Sequence, residues 1–261
     1  LVGLNILVDH SIEVTSISGL ISGTSSIQLS FSSPLVDGTI YSMRLADQIT
    51  DCTGNALESD TISFGNGAVP QIGDLFITEL MTDPSPIVGL PETEYIEIYN
   101  ASNLVIDLSK VQLGDDSKNA ILGGILPPNS YALLTNSTNG FADSILVIQA
   151  AIPSLSNSAD SIGLANLEGV TLDFISYTDT WYRDPEKKQG GYSLERIALE
   201  AACLPQLNWT GSKGVTGGTP GVENSVWNTT VDQTPPGLLS YQLINNEVLS
   251  LTFDEPMAVE T

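Results

Sequence analysis

Glu94-Tyr95-Ile96-Glu97-Ile98-Tyr99-Asn100 decides the fold class. Ile96 and Ile98 fall on one side of an extended chain, and Tyr95, Glu97 and Tyr99 on the other. Successive side chains of a strand point to opposite faces, so the run reads as a strand with one face in a core. The same period of two recurs outward from it. Ile27, Leu29 and Phe31 alternate with Ser26, Gln28 and Ser30, and Tyr41, Met43 and Leu45 with Ser42 and Arg44. Near the other end, Leu249, Leu251 and Phe253 alternate with Ser250 and Thr252. Gly, Pro, Asn, Asp and Ser fill the gaps, as turns require. Short strands at this spacing predict an all-β chain of antiparallel β-sandwiches rather than βαβ units. No helix longer than about three turns is expected. The stretch LERIALEAACL at 194–204 holds good helix formers, but Tyr192, Leu194 and Arg196 also alternate. It reads as a strand followed by an irregular loop or one helical turn.

The chain has 261 residues, enough for two or three sandwiches of about 100 residues. Two runs are rich in breakers: GNGAVPQIG at 65–73 and GSKGVTGGTPGVENSVWNTTVDQTPP at 211–236. Both read as linkers, with Val226 and Trp227 able to anchor the second to a surface. They divide the chain into 1–68, 71–226 and 231–261. Leu1 is not a Met and Thr261 follows directly on a strand-like run, so both ends read as cut from something longer.

The central part resembles the lamin tail domain, an immunoglobulin-like sandwich that also occurs in secreted bacterial proteins. The resemblance runs from about Gly73 to Asn224 in an ordered series. Ile77-Thr78-Glu79-Leu80 is followed by the 94–100 run, Asp107-Leu108 and Pro127-Pro128-Asn129-Ser130-Tyr131. Leu155-Ser156-Asn157, Ser161-Ile162-Gly163-Leu164 and Leu172-Asp173-Phe174-Ile175 come next. Ser193-Leu194-Glu195-Arg196, Asn208-Trp209 and Thr219-Pro220-Gly221 resemble additions of the bacterial form. Lys110-Val111 stands where the family usually has Gly-Trp, and Tyr131 is expected to fill the space of the missing aromatic. The flanks resemble immunoglobulin-like bacterial modules. Asp37-Gly38-Thr39-Ile40-Tyr41 and Asp51-Cys52-Thr53-Gly54-Asn55 look like later strands and a closing turn, and Leu251 to Met257 like an early strand. The resemblance thus implies the back half of one module at 1–68, a lamin tail domain at 71–226 and the front half of another module at 231–261. It further implies a multidomain secreted or cell-surface protein in which such domains act as spacers, scaffolds or binding units.

Charge narrows the partners. Eight Lys+Arg against 31 Asp+Glu give a formal net charge of −23. Such a chain repels nucleic acid and anionic membranes, because phosphate binding depends on clustered cations. A strongly acidic surface also keeps an exported protein dispersed. No stretch reaches the roughly 18 apolar residues of a membrane span. Cys52 and Cys203 match neither a close-spaced metal site nor a dense disulfide framework, and read as two buried thiols or one cross-module disulfide.

Chemistry-bearing patterns are few. His10 is the single histidine and no Gly-x-Ser-x-Gly elbow surrounds any serine, so nucleophilic catalysis lacks its base and its geometry. Glu79 and Glu97 fall on neighbouring predicted strands as a carboxylate pair, but no cleft is apparent. Both are expected to point into solvent or cap a hairpin, and the chain is read as no enzyme. Calcium is the candidate cofactor, since it favours carboxylate oxygens on flexible loops. Its candidate ligands are Asp83, Glu92 and Glu94 around a Pro-rich loop, and the pair Asp115 and Asp116. Trp181, Tyr182, Arg183, Lys187, Lys188 and Arg196 combine aromatic rings with half of the cations. They form a candidate site for a glycan, a peptide or an acidic neighbour, with an intramolecular salt-bridge loop as the plain alternative. Finally, each flank carries an apolar strand face that needs a partner. The flanks are expected to complete one sandwich together, within one chain or by exchange between two.

Overall fold

The computed structural model describes residues 6–18, 26–45, 53, 55, 61–115, 117–199, 205–228 and 235–254. Its elements are strands and short 3-10 turns, the longest turn being Asp179–Tyr182. Cys52, Cys203 and Asp116 lie outside the described residues.

The central module is a two-sheet sandwich. In the N-terminal flank, β1 (Ile6–Val8), β4 (Ile40–Leu45) and β5 (Thr61–Gly65) form one sheet, while β2 (Val14–Ser18) pairs with β3 (Gln28–Phe31). The central strands are β6 (Leu75–Met81), β7 (Tyr95–Asn100), β8 (Ile106–Asp107), β9 (Val111–Gly114), β10 (Asn119–Ile121) and β11 (Ile125–Leu126). They continue through β12 (Ser130–Thr135), β13 (Val147–Gln149), β14 (Ala159–Asn166), β15 (Thr171–Thr178), β16 (Leu194–Arg196) and β17 (Trp209–Gly211). Six of these form one sheet in the order β13-β12-β7-β6-β16-β17, and four form the other, β10-β9-β14-β15. Pairing is antiparallel except between β12 and β13. Two C-terminal strands, β18 (Leu238–Asn245) and β19 (Val248–Phe253), form a hairpin.

Between the sheets lies the core: Leu75, Ile77 and Leu80 of β6, Ile96 and Ile98 of β7, Leu134 of β12, Val111 and Leu113 of β9, Ile162 and Leu164 of β14, and Trp209 of β17. Val111 is fully buried there. Tyr131 does not occupy that space. It stands on the opposite face of its sheet, 4.5 Å from Tyr99, its cross-strand partner. Between the sheets an ionic clasp also forms: Arg196 of β16 reaches Asp173 of β15, with Nη1 3.0 Å from Oδ2 and Nη2 donating to Oδ1 at 3.1 Å. The guanidinium lies between the rings of Phe76 and Trp209, at 5.4 and 5.3 Å.

The run at 65–73 is not a free linker. Asp37 bridges to Asn66 and Ala68 to Ile106. The Ala68 amide donates to Val105 O, Asp107 N–H donates to Ala68 O, and Asn166 donates to Pro70 O. A Cβ on Gly67 would meet the backbone of Ile106 and Asp107, so only glycine allows the approach. The bonds that hold the sandwich therefore reach residues before 71. A segment 66–228 is expected to be about 1–3 kcal/mol more stable to urea than 71–226, which leaves buried polar groups of Val105, Asp107 and Asn166 without partners. Equal midpoints would show that these bonds contribute nothing.

In the C-terminal flank, among the described residues, β18 and β19 pair only with each other. Tyr241, Leu243, Leu249 and Leu251 share one face of that hairpin and stay exposed. This corrects the expectation that the two flanks complete one sandwich within the chain. A two-stranded hairpin buries too little to hold such a face by itself.

Candidate functional site

The polar centre of the molecule is a row of three glutamates across the outer face of the six-stranded sheet. β6 carries a bulge between Ile77 and Glu79. The extra residue, Thr78, shifts the alternation, because a bulge sets two residues against one. Leu75 and Ile77 point inward, as does Leu80 after the bulge, while Glu79 and Met81 turn outward with Tyr95 and Glu97. Glu79 then lies opposite Glu97 on one side and opposite Glu195 on the other.

All three carboxyl groups are fully buried. Glu79 and Glu97 neither face solvent nor cap a hairpin, contrary to expectation, because this face has a cover of its own. Met81, Tyr95 and Leu133 form a second apolar cluster there with Leu90, Phe141, Ile145 and Val147. The segment 212–228 then crosses the row as a strap without joining either sheet. An unpaired segment against a sheet has backbone N–H groups that need acceptors. The glutamates supply them: Thr219 N–H donates to Glu79 Oε1 at 3.0 Å, Gly221 N–H to Glu97 Oε2 at 2.6 Å, and Val226 N–H to Glu195 Oε2 at 3.2 Å. Hydroxyls add to this. Tyr95 donates to Glu79 at 2.6 Å, Thr78 to Glu97 at 2.8 Å and Ser225 to Glu195 at 2.7 Å. Asn224 fixes the strap independently of the acids, donating to Thr78 O and Arg196 O, both at 2.8 Å.

Glycine makes the approach close. A Cβ on Gly218 would stand 2.5 Å from Glu79 Oε1 and 2.6 Å from the Tyr95 hydroxyl. Gly221, at φ +85, takes a left-handed turn against Ile145. The Thr219-Pro220-Gly221 motif thus has a physical meaning: it delivers two amides to two acids.

Electrostatics oppose ionisation of Glu79 and Glu97. Burial, reinforced by Glu195, pushes Glu79 up to about 7. Burial and the charge of Glu79 raise Glu97 well above the ordinary carboxylate range. Tyr95 is raised well above its usual value, first by burial and then by Glu79.

The calcium candidates have structural partners. Asp83 accepts from Ser85 N–H at 3.4 Å, and Glu92 bonds the Ser85 hydroxyl. Glu94 accepts from Leu155 N–H at 3.2 Å. Burial raises its carboxyl, and Asp83 and Asp160 add to the effect. Asp115 closes its own turn by accepting from Ser117 and Lys118 N–H. Among the described residues no three His, Cys, Asp or Glu side chains are grouped to hold a metal ion.

The aromatic and cationic candidates do not share one surface. Arg196 is buried in the ionic clasp. Tyr182 is also buried, its hydroxyl donating to Tyr192 O at 3.1 Å and lying 3.3 Å from the Thr82 hydroxyl. Trp181 packs half-buried against the core. Lys187 donates to Ser212 O at 2.6 Å, at the start of the strap, and lies over the Tyr192 ring. Lys188 pairs with Asp179 at 3.4 Å. Arg183 is exposed and donates to Gln206 O at 2.8 Å. His10 pairs with Asp9 at 2.8 Å.

Sequence reasoning missed Glu195 and the strap as partners of Glu79 and Glu97. The motifs holding them were visible, but nothing in a breaker-rich run says which face it will cover.

Residues 68–179 match the family model of the Lamin Tail Domain. No curated protein and no solved structure matches the chain. The lamin tail domain is an immunoglobulin-like module of the protein-interaction type, structural rather than catalytic. The match covers Glu79 and Glu97. Glu195 and the strap lie beyond it.

Proposed function

We propose that the chain is a non-catalytic structural or interaction segment of a multidomain secreted or cell-surface bacterial protein, with the sandwich acting as a fixed spacer. The anchoring of both tethers to the sandwich carries this reading. The chain enters along 66–70, bonded to β8 and to Asn166. It leaves along 212–228, held by three glutamates and by Asn224. Asn228 N–H still donates to Ile197 O. Segments so held set the direction of neighbouring modules better than free linkers do. In the same reading the flanks are immunoglobulin-like half-modules, and the apolar face of β18–β19 is covered by exchange with a second chain or by a neighbouring module.

The second reading is a glycan- or peptide-binding module, or an accessory domain of an exported hydrolase. It is favoured by Arg183, two residues after Trp181 in sequence, which is exposed with its backbone in the left-handed region at φ 54. Glycan-array and peptide-display binding by the chain separate the two. The spacer reading expects no saturable binding. Saturable binding that Arg183→Ala weakens at least about tenfold, the loss of a charged hydrogen-bonding group, replaces the spacer reading with the second.

A further inference from the structure

We propose that the strap 212–228 is a proton-locked cover, fastened while Glu79 carries a proton and loosened when that proton leaves.

Hydrogen-bond counting supports this before any titration does. The Thr219 hydroxyl has one hydrogen and lies 2.9 Å from Glu195 Oε1 and 3.5 Å from Glu79 Oε2. It can donate to one carboxylate only. Donation to Glu195, the nearer of the two, leaves Oε2 of Glu79 facing the Thr219 oxygen at 3.5 Å with no hydrogen between them from Thr219. Oε1 of Glu79 meanwhile accepts from Tyr95 and from Thr219 N–H. A neutral Glu79 keeps both bonds to Oε1 and turns a hydrogen, rather than a second negative oxygen, toward Thr219 and Glu195. As a carboxylate it would face the like charge of Glu195 across the Thr219 oxygen, with the hydroxyls of Ser193 and Tyr95 as its side-chain donors.

No neighbouring charge offsets that loss. Facing Glu79 are Tyr95 and Glu97 from β7 and Glu195 from β16. Tyr182 of the 3-10 turn after β15 also lies within its field, and Tyr131 of β12 within that of Glu97. From the strap, Glu223 adds a further negative charge near Tyr131. Lys187 is committed to Ser212 O, and Arg196 lies between the sheets with Asp173. Among the described residues no ion pair reaches the three glutamates. Buried like charges on adjacent strands repel strongly.

The direction follows from linkage. Glu79 in the closed state holds its proton up to about 7, against 4.5 for the ordinary carboxyl. Closing the strap adds to the burial that raises Glu79, the largest cause, and its Thr219 N–H bond offsets part of that rise. On balance the closed strap gains stability that is complete below the ordinary value and is lost as pH rises through about 7. Glu97, raised well above the ordinary carboxylate range by burial and by Glu79, acts in the same direction. Acid fastens the strap and alkali loosens it. The two bonds of Asn224 involve no titratable group, so release begins at 218–221. The inference goes beyond the spacer reading and does not require it.

The test uses the full chain. Glutamate side-chain carbons are followed by NMR across pH. Exchange protection of the Thr219, Gly221 and Val226 amides, corrected for intrinsic rates, is measured alongside. A buried carboxyl titrating near neutrality is expected, with strap opening rising at least about tenfold from about pH 5 to about pH 8. In Glu79→Gln the amide oxygen replaces Oε1 and the NH2 donates to the Thr219 hydroxyl. The pH dependence of opening there should be at most about a third of the wild-type dependence. Ordinary carboxyl midpoints throughout, or the same pH dependence in both proteins, overturn the proposal. If Glu79→Gln does not fold, the wild-type carboxyl titration decides by itself.

Discussion

Asp173→Ala is expected to lower the unfolding free energy of the central module by about 3–5 kcal/mol at neutral pH. Asp173 accepts from Ile77 N–H at 2.8 Å, from Phe174 N–H at 2.9 Å and from Arg196 Nη2 at 3.1 Å, and its Oδ2 lies 3.0 Å from Arg196 Nη1 as an ion pair. Its loss leaves the guanidinium buried between two rings without a counter-charge, and the Arg196 Nε already lacks a hydrogen-bond partner. Breaking a buried pair costs more than exchanging it for an apolar one. Asp173→Leu combined with Arg196→Met should therefore retain more stability than Asp173→Ala alone. Urea unfolding followed by tryptophan fluorescence measures both. A single mutant within about 1 kcal/mol of wild type would place the clasp among surface ion pairs in strength.

Trp209→Ala should cost about as much, 3–5 kcal/mol, by a different route. Trp209 is 2% exposed and among the largest fully buried side chains. It sits opposite Arg196 in the β16–β17 ladder, where its ring packs on the guanidinium and its body on the core. Removal opens a cavity in the core and strips one face from the buried cation. Trp209→Phe keeps an aromatic face and should recover more than half of the loss. Thermal unfolding of the three proteins at one pH checks the order. Equal losses in the Phe and Ala variants would assign the indole nitrogen or shape, rather than stacking and volume, as the source.

How much was legible depended on the range of the interaction. Alternation in the 94–100 run placed Ile96 and Ile98 in the core and Glu97 opposite, as the structure has them. Period-two patterns are local, and a strand commits its two faces within a few residues. The same locality explains the error over Glu79 and Glu97. Alternation says which side a residue takes, not whether water or another segment lies there. Their cover comes from Thr219 and Gly221, 140 residues after Glu79 and 124 after Glu97.

Two further decisions belonged to the tertiary structure. The bulge at Thr78 chooses the face of Glu79, and a bulge has no fixed composition unless it requires glycine. Segment 212–228 reads as a linker because glycines, a proline and small polar residues also make linkers. Here Gly218 is small so that the backbone can reach a buried acid. By itself, the sequence determined an all-β chain and a formal net charge of −23, which follow from local pattern and composition, while the resemblance to the lamin tail domain rested on an ordered series of motifs. Tertiary structure alone decided that three acids share one buried row and that the exit segment locks onto them. Bringing acids together is unfavourable for every pair considered separately, and here they are met by backbone donors from a segment far away in the chain.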